Sequence, residues 1–271
     1  MKAVLLRNGL SFPVTAISML LLVAVLITGC QKAVPTLQEV LAAAGRGDPE
    51  AQASLGRRYV DGDGVPLDDA EALKWYQRSA DQGNAGGQVG LGYLYERGRG
   101  VTKDDAKAFV LFRKAAEQGD DVGAYDVGYC YYNGIGVAQD YAQAISWFRK
   151  AAERGYDAAQ DALGRACASG KGVTQDYSQA LVWYGKAAEQ GFADSLWALS
   201  GCAEHGWGVP QDYVEAHKWA NLAASKLSGD NQKTCAELRD RLARLLNDEQ
   251  LADAQKRARD WSQAFEERTR K

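Results

Sequence analysis

The chain of 271 residues carries a formal charge of -3, and 46% of its residues are hydrophobic while 25% are charged. This balance is typical of a globular protein and argues against intrinsic disorder. Lysine and arginine are spread along the chain without a basic block, which argues against a nucleic-acid-binding protein. The length fits one or two ordinary domains or one extended repeat array.

The first 29 residues have the layout of a secretory signal peptide. Lys2 and Arg7 precede an apolar run over residues 16–27, AISMLLLVAVLI. A basic start followed by a short apolar run is typical of such signals. The run is shorter than the roughly 20 apolar residues of a transmembrane helix. An uncleaved membrane anchor is the alternative interpretation.

Residues 26–30, LITGC, resemble a bacterial lipobox directly after the apolar run. The resemblance implies that Cys30 is lipidated and becomes the first residue of the mature chain, with residues 30–35 as a short tether. Two or more acyl chains anchor a protein stably. Gln31 stands where an aspartate favours the inner membrane, so we expect the periplasmic face of the outer membrane of a Gram-negative bacterium. A chance cysteine is the alternative.

A period of 36 residues dominates the rest of the chain, and such a period is the signature of a repeat architecture. A segment of the form Gly-x-Gly-Val recurs five times at this spacing. Its first glycines are Gly62, Gly98, Gly134, Gly170 and Gly206. An aspartate keeps the same step at Asp68, Asp104, Asp140, Asp176 and Asp212.

Each repeat predicts two helices. The first carries a recurring apolar residue, a glycine and often a tyrosine on one face, and the glycine predicts close approach of a neighbouring helix because it costs helix stability. The second begins at the aspartate, a favoured N-cap residue, with a predicted capping box. It ends at a glycine suited to a left-handed position. We interpret its tryptophans as core packing rather than a sugar-stacking platform; they are Trp75, Trp147, Trp183 and Trp219.

Taken together, the copies give the pattern LGxxYxxGxGVxxDxxxAxxWYxKAAxQG, which resembles the Sel1-like repeat, a relative of the tetratricopeptide repeat. The resemblance implies an all-α, right-handed α/α solenoid, with five helix-turn-helix repeats over residues 50–229. Terminal repeats need caps. We therefore expect an N-terminal half repeat over residues 36–49 and C-terminal capping helices over residues 230–271, the last of them capped by Asn247.

The sequence predicts no enzyme and no cofactor or metal site. The Gly-x-Gly pairs lack the third glycine and the preceding strand of a dinucleotide-binding fingerprint. The segment DGDGVPLDD departs from a calcium loop at its sixth and twelfth positions. His205 and His217 are the only histidines, and Cys202 with His205 lacks the further ligands of a zinc site.

Four cysteines follow Cys30, and their positions leave two interpretations open. They are Cys130, Cys167, Cys202 and Cys235. The periplasm permits disulfides, and adjacent helices can bring cysteines within bonding range. A bond between Cys202 and Cys235, or between Cys167 and Cys202, is one interpretation. Small buried apolar side chains are the other.

Variable positions on the first helices predict where a partner binds. Residues three and four apart share a helix face, and one such face changes from copy to copy. The candidate contact residues are Arg57, Asp61, Tyr93, Arg97, Tyr129, Asn133 and Arg165, together with Ile135 and Trp207 as exposed apolar residues of the Gly-x-Gly turns. Arginine and tyrosine suit protein recognition. An ordinary solvated face is the alternative.

The sequence therefore predicts a monomeric, lipid-anchored periplasmic scaffold that binds protein partners of the cell envelope and no nucleic acid. The family resemblance suggests polysaccharide secretion, envelope assembly or host interaction as its setting. The alternative function is a binder or hydrolase of cell-wall material, similar to a β-lactamase-like, cysteine-rich branch of the family. That branch pairs cysteines within each repeat, and the chain lacks both this pattern and the motifs Ser-x-x-Lys and Gly-x-Ser-x-Gly.

Overall fold

The computed structural model describes residues 35–270, and all regular secondary structure in this range is helical. The predicted signal peptide and the predicted lipidation site Cys30 lie outside the described residues. Residues 35–39 form part of a separate unit, in which Thr36 N donates to Glu39 Oε2 at 2.8 Å. No helix between residues 35 and 270 is both long enough and apolar enough to cross a membrane.

Thirteen helices are present in the described range, which confirms the predicted all-α repeat solenoid. Helix α1 covers Leu37–Gly45. The first helices of the repeats are α2 (Pro49–Asp61), α4 (Ala85–Arg97), α6 (Asp121–Asn133), α8 (Asp157–Ser169) and α10 (Ala193–His205). The second helices are α3 (Asp69–Asp81), α5 (Asp105–Glu117), α7 (Tyr141–Glu153), α9 (Tyr177–Glu189) and α11 (Tyr213–Lys226). Helices α12 (Gly229–Ala243) and α13 (Asp248–Thr269) follow them.

Each second helix begins at the aspartate that the sequence predicts as its N-cap. Asp140 accepts a hydrogen bond from Gln143 N at 3.0 Å, and the other four aspartates make equivalent bonds. The predicted capping boxes are wrong here, because the N–H of the aspartate already donates to the first helix, as from Asp140 to Tyr131 O at 2.9 Å. Asn247 and Gln250 do form the complete box, at the start of α13.

The Gly-x-Gly turn places both glycines in the left-handed region. Gly134, which ends α6, has a φ of 70°, and Gly136 has a φ of 65°. A Cβ on Gly136 would collide with Asp105 O at the start of α5, so the turn lies against the preceding repeat. Ile135 is therefore half-buried against the core and less exposed than expected, while its role as a contact residue stays a prediction.

The glycine column of the first helices makes room for an aromatic ring from the second helix. A Cβ on Gly92 would lie 2.5 Å from Phe112 Cε1. The other pairs are Gly56 with Tyr76, Gly128 with Phe148 and Gly164 with Tyr184. The predicted close approach is confirmed, but the approaching group is chiefly a ring. These rings pack against the first helices from the side of the second helices.

The tryptophan column lies at the edge of this core and not within it. Trp147 and Trp183 are half-buried against the cluster that contains Phe148. A cation lies over each tryptophan of the column, as Lys150 does at 3.7 Å from the ring centroid of Trp147. The prediction of core packing thus holds for only part of each ring, because the buried position belongs to the next residue along the helix.

The last two helices cover the end of the array with aromatic contacts. Trp261 on α13 meets Trp219 on α11 edge-on, with ring centroids 6.1 Å apart. Phe265 stacks on Trp261 at 5.3 Å and lies below Lys226, whose Nζ is 4.1 Å from its centroid. The exposed end of the fifth repeat is thereby covered, as solenoid ends require.

All four cysteines after Cys30 are free thiols in the structure. Cys202 and Cys235 belong to one core cluster, with Cys167 partly buried beside it, but neither predicted disulfide is formed. The cysteines instead pack as small apolar side chains. Burial raises the pKa of the Cys202 and Cys235 thiols, which lowers their reactivity as nucleophiles.

Candidate functional site

Three cavities lie in a row along the first helices, and together they are called the groove. The N-terminal cavity, about 640 Å³, lies between α2 and α4 and reaches Val122 on α6. The central cavity, about 220 Å³, lies between α6 and α8. The C-terminal cavity, about 570 Å³, lies between α8 and α10, and it shares Arg165 with the central one.

The structure brings eight of the nine predicted contact residues to the lining of this groove. The N-terminal cavity contains Arg57, Asp61, Tyr93 and Arg97. The central cavity contains Tyr129, Asn133 and Arg165, and the C-terminal cavity contains Arg165 and Trp207. Ile135 is the exception. The role of these residues in binding stays a prediction.

The N-terminal cavity carries positive charge that the protein leaves uncompensated. Arg57 and Arg97 are exposed, and neither forms an ion pair with any residue between 35 and 270. Arg97 lies over the ring of Tyr93 at 6.0 Å. Arg99, by contrast, pairs with Asp69 at 2.5 Å. Since the lining holds three arginines and only one acidic residue, this end of the groove favours a negatively charged ligand.

A buried carboxyl group joins α4 to α6 beside the N-terminal cavity. Tyr93 Oη donates to Asp126 Oδ1 at 3.0 Å, while Asp126 Oδ2 has no hydrogen-bond partner in the described residues. Burial raises the pKa of Asp126 to about 7, and the Tyr93 hydrogen bond only partly opposes this rise. The carboxyl is therefore poised to change its protonation state near neutral pH.

Aromatic side chains surround the central cavity. Tyr125 packs against Phe148 with ring centroids 5.6 Å apart and against Tyr156 at 5.5 Å. Tyr129, 6.3 Å from Tyr125, leaves 43% of its surface exposed. Packed rings with an exposed neighbour form a rigid, largely apolar contact surface.

A second buried carboxylate joins α8 to α10. Asp161 is 1% exposed and accepts hydrogen bonds from Ser195 Oγ at 2.6 Å and from Arg165 Nε at 2.6 Å. Burial raises the pKa of Asp161, although both partners oppose this. Arg165 Nη2 also lies 3.9 Å from Asp194 Oδ2. Arg165 is therefore neutralised, unlike the arginines of the N-terminal cavity.

The C-terminal cavity is flanked by two exposed tryptophans. Trp197 is 40% exposed and Trp207 is 44% exposed, and both line the cavity with Gly201. Tyr177 stacks on Trp207 with centroids 5.6 Å apart, and the imidazole of His205 lies 4.7 Å from the same ring.

The sequence reasoning missed Trp197, Asp161 and Asp126. All three lie on first helices, and Trp197 and Asp161 occupy one repeat position, where Val89 and Tyr125 stand in earlier copies. This position varies as freely as position 57 and lies four residues before it, on the same helix face. The variable face of the first helices therefore extends one helical turn further, to Trp197 and Asp161. Asp126 is held by Tyr93 of the preceding repeat and Asp161 by Ser195 of the next one, so the burial of these aspartates has no local signal.

The repeat unit matches a known protein family over most of the chain. The family described as Sel1 repeat matches residues 49–84, 85–120, 122–156, 157–192 and 193–226. The chain belongs to the Sel1 repeat family. Sel1 repeat proteins mediate protein–protein interaction in general, and their scaffold is typically non-catalytic. No curated protein matches the chain in a sequence comparison.

Solved structures of Sel1 repeat proteins share this fold. A Sel1 repeat protein from Oxalobacter formigenes is 30% identical with a TM-score of 0.66, over 79% of this chain and 86% of that one. The protein c5321, a protective antigen of uropathogenic Escherichia coli strains, is 31% identical with a TM-score of 0.53, over 84% of this chain. The match spans 56% of the length of c5321.

Proposed function

We propose that the protein is a lipid-anchored scaffold on the periplasmic side of a bacterial outer membrane, and that it holds a protein partner in the groove. The observation that carries this proposal is the row of three cavities along the first helices. Sel1 repeats generally bind protein partners, which supports the assignment of the groove as the binding surface.

The groove presents the side chains that dominate protein–protein interfaces. Arginine, tyrosine and tryptophan are enriched among the residues whose truncation costs the most binding energy. Arg57, Arg97, Tyr129 and Trp207 supply these groups in the groove. The hydrogen bond between Tyr93 and Asp126 holds neighbouring first helices together, as does the bond between Ser195 and Asp161. A surface fixed before binding loses less entropy when the partner arrives.

The sequence LITGC supports the membrane anchor in this proposal. With Cys30 as the lipidated residue, six residue steps lead to Thr36, a reach of roughly 20 Å for an extended chain. The repeats of a single, monomeric copy would then remain close to the membrane. A partner held in the groove would be confined to the same layer of the envelope.

The binding claim can be tested by purifying the full-length protein from detergent-solubilised membranes. We expect a protein to co-purify in a fixed ratio, and the double substitution Arg57→Glu with Arg97→Glu to reduce its recovery roughly ten-fold. The control reverses two exposed charges on second helices, Arg113→Glu with Arg149→Glu, and should retain the partner. Equal recovery with the two variants contradicts the proposal.

The anchor has its own test. Replacing Cys30 by serine removes the thiol that would take the lipid, so Cys30→Ser is expected to lose palmitate incorporation and to leave the outer-membrane fraction. Continued incorporation of palmitate by this variant overturns the anchor while leaving the groove assignment intact.

A further inference from the structure

The tryptophans on the second helices make cation–π contacts with lysine or arginine of their own chain. Lysine or arginine lies over the rings of Trp75, Trp147, Trp183 and Trp219 at 3.7–4.7 Å from the centroid. A cation over the face of an indole is attracted by its negative π surface, and tryptophan is the best such partner. The chain thus uses one kind of contact repeatedly along its second helices.

Trp197 and Trp207 in the groove differ from that column. No cation of residues 35–270 lies over either ring, and both remain about two-fifths exposed, at 40% and 44%. Tyr177 and His205 contact Trp207, whereas no aromatic partner for Trp197 occurs in the same range. The C-terminal cavity therefore contains two tryptophans whose exposed surfaces lack the cation found elsewhere in the protein.

Gly201 opens the space between these tryptophans. The equivalent positions of the four earlier repeats hold Arg57, Tyr93, Tyr129 and Arg165. A Cβ added to Gly201 would meet no atom within 4 Å, so the glycine is not required by packing. Its effect is to replace a large side chain by an open notch, which is defined here as the space lined by Trp197, Gly201 and Trp207.

An available negative charge lies at the same cavity. Asp161 is engaged by Ser195 and Arg165, but the carboxylate of Asp194 is 43% exposed and its ion pair is a distant one, 3.9 Å from Arg165. The cavity lining holds one arginine and two aspartates. This end of the groove is therefore suited to a positively charged group, in contrast to the arginine-rich N-terminal cavity.

We propose that the notch binds an arginine side chain of the protein partner, with its guanidinium against Trp197 and Trp207 and its charge balanced by Asp194. Arginine fits better than lysine because its planar guanidinium stacks on aromatic faces and pairs with a carboxylate through two donors. This proposal rests on the proposed function of the groove. It adds a direction, since the acidic part of the partner lies at α2 and α4 and the arginine at α10.

The experiment records the indole N–H signals of Trp197 and Trp207 by NMR in the full-length protein, assigned with Trp197→Phe and Trp207→Phe. The first probe is Nα-acetyl-arginine amide, and the second is Nα-acetyl-citrulline amide, a neutral molecule of nearly the same shape. We expect the arginine probe to shift both signals, and the citrulline probe to bind at least about three-fold more weakly because it lacks the cation.

Two pairs of variants place the site. Gly201→Leu should fill the notch and abolish the shifts, whereas Gly185→Leu, at another helical glycine with nothing within 4 Å, should leave them unchanged. Asp194→Asn should weaken binding of the arginine probe about two- to five-fold and leave citrulline binding unchanged. Circular dichroism of each variant, which should match that of the natural protein, checks that the helices remain intact.

Several results overturn the proposal. Equal binding of both probes shows apolar stacking without a role for charge, and the absence of shifts shows that the notch takes no arginine. Shifts caused by chitobiose but not by arginine assign the tryptophans to a sugar. If any of these results occurs while a partner still co-purifies in an Arg57- and Arg97-dependent manner, the scaffold function stands and only the notch assignment fails.

Discussion

The middle of the groove and its C-terminal end are built differently, although both arise from the same 36-residue unit. In repeats 3 and 4, buried carboxyl groups join neighbouring first helices, through Asp126 to Tyr93 and through Asp161 to Ser195. In repeat 5, the position equivalent to Asp161 is Trp197, and it is exposed. The same repeat position thus holds neighbouring helices together in one repeat and exposes a side chain to solvent in the next.

A shift of glycine by one residue accompanies this change. In repeat 4, Gly164 faces the core, where a Cβ would lie 2.6 Å from the ring of Tyr184. In repeat 5, Ser200 occupies the core position and Gly201 follows it on the groove side. One glycine is required by packing and the other leaves space open. A repeat protein can therefore create a binding site by relocating one small residue without altering its helices.

The largest expected effect concerns the buried carboxyl in the middle of the groove. The ordinary pKa of Asp126 is 3.8 and burial raises it to about 7. Ionising this carboxyl in the folded state therefore lowers the free energy of unfolding by as much as roughly 4 kcal/mol. Between about pH 4 and 7 the folded state keeps a proton that the unfolded state releases, so stability falls as pH rises. Asp126→Asn should be more stable than the natural protein at pH 8 and similar to it at pH 3.5, by urea unfolding. An unchanged pH profile contradicts this.

The second prediction concerns the carboxylate that repeat 5 replaces by tryptophan. Asp161→Ala removes the acceptor of Ser195, a hydroxyl with no solvent exposure, and should lower the free energy of unfolding by roughly 2–3 kcal/mol. Asp194→Ala, which removes the exposed carboxylate near the same arginine, is the control and should change it by less than about 0.5 kcal/mol. An equal decrease in the free energy of unfolding for both variants would show that the buried Asp161 contributes no more to stability than the exposed Asp194.

Gly164→Ala tests the core side of the comparison. Its new methyl group would overlap the ring of Tyr184, and overpacking of this kind costs roughly 1–3 kcal/mol. The cost should shrink in a Tyr184→Leu background, because a smaller side chain can move aside. A double-mutant cycle measured by thermal unfolding gives this coupling. Additive effects would mean that the two residues do not compete for space.

Gly201→Ala tests the groove side and should have the smallest effect, with the opposite sign. A glycine inside a helix, with free space around it, makes the folded protein about 0.5–1 kcal/mol less stable than alanine would. The variant should therefore be more stable by that amount. Thermal unfolding of Gly185→Ala, at another helical glycine with free space around it on α9, provides the reference. A loss of stability at Gly201 would show that the notch is already filled by a neighbouring side chain.

The sequence predicted the helices well because their limits depend on nearby residues. Asp140 caps α7 and Gly134 ends α6 through contacts within a few positions, and these residues recur at a fixed spacing. The groove residues were predicted for the same reason, since variation against a regular background identifies solvent-facing positions. Eight of nine then lined the cavities.

The sequence was a poorer guide where burial or hydrogen bonding depends on contact with another helix. Ile135 varies between copies, yet its turn lies against the preceding repeat and buries it by half. Asp126 and Asp161 are buried by partners 33 and 34 residues away in the chain. The capping boxes failed because a carbonyl of the preceding helix already uses the donor of each aspartate. Such contacts are set by the packing of whole helices, which local patterns do not encode.

The central claim is that the partner binds the groove and not the outer surface. Site-specific photo-cross-linking tests it most directly, with p-benzoylphenylalanine in place of Tyr129 in the central cavity or Val182 on α9, which is 55% exposed. In intact membranes we expect the group at Tyr129 to cross-link to one defined protein and the group at Val182 to give no such product. Cross-linking to the same protein from Val182 alone, or equally from both positions, would contradict the account.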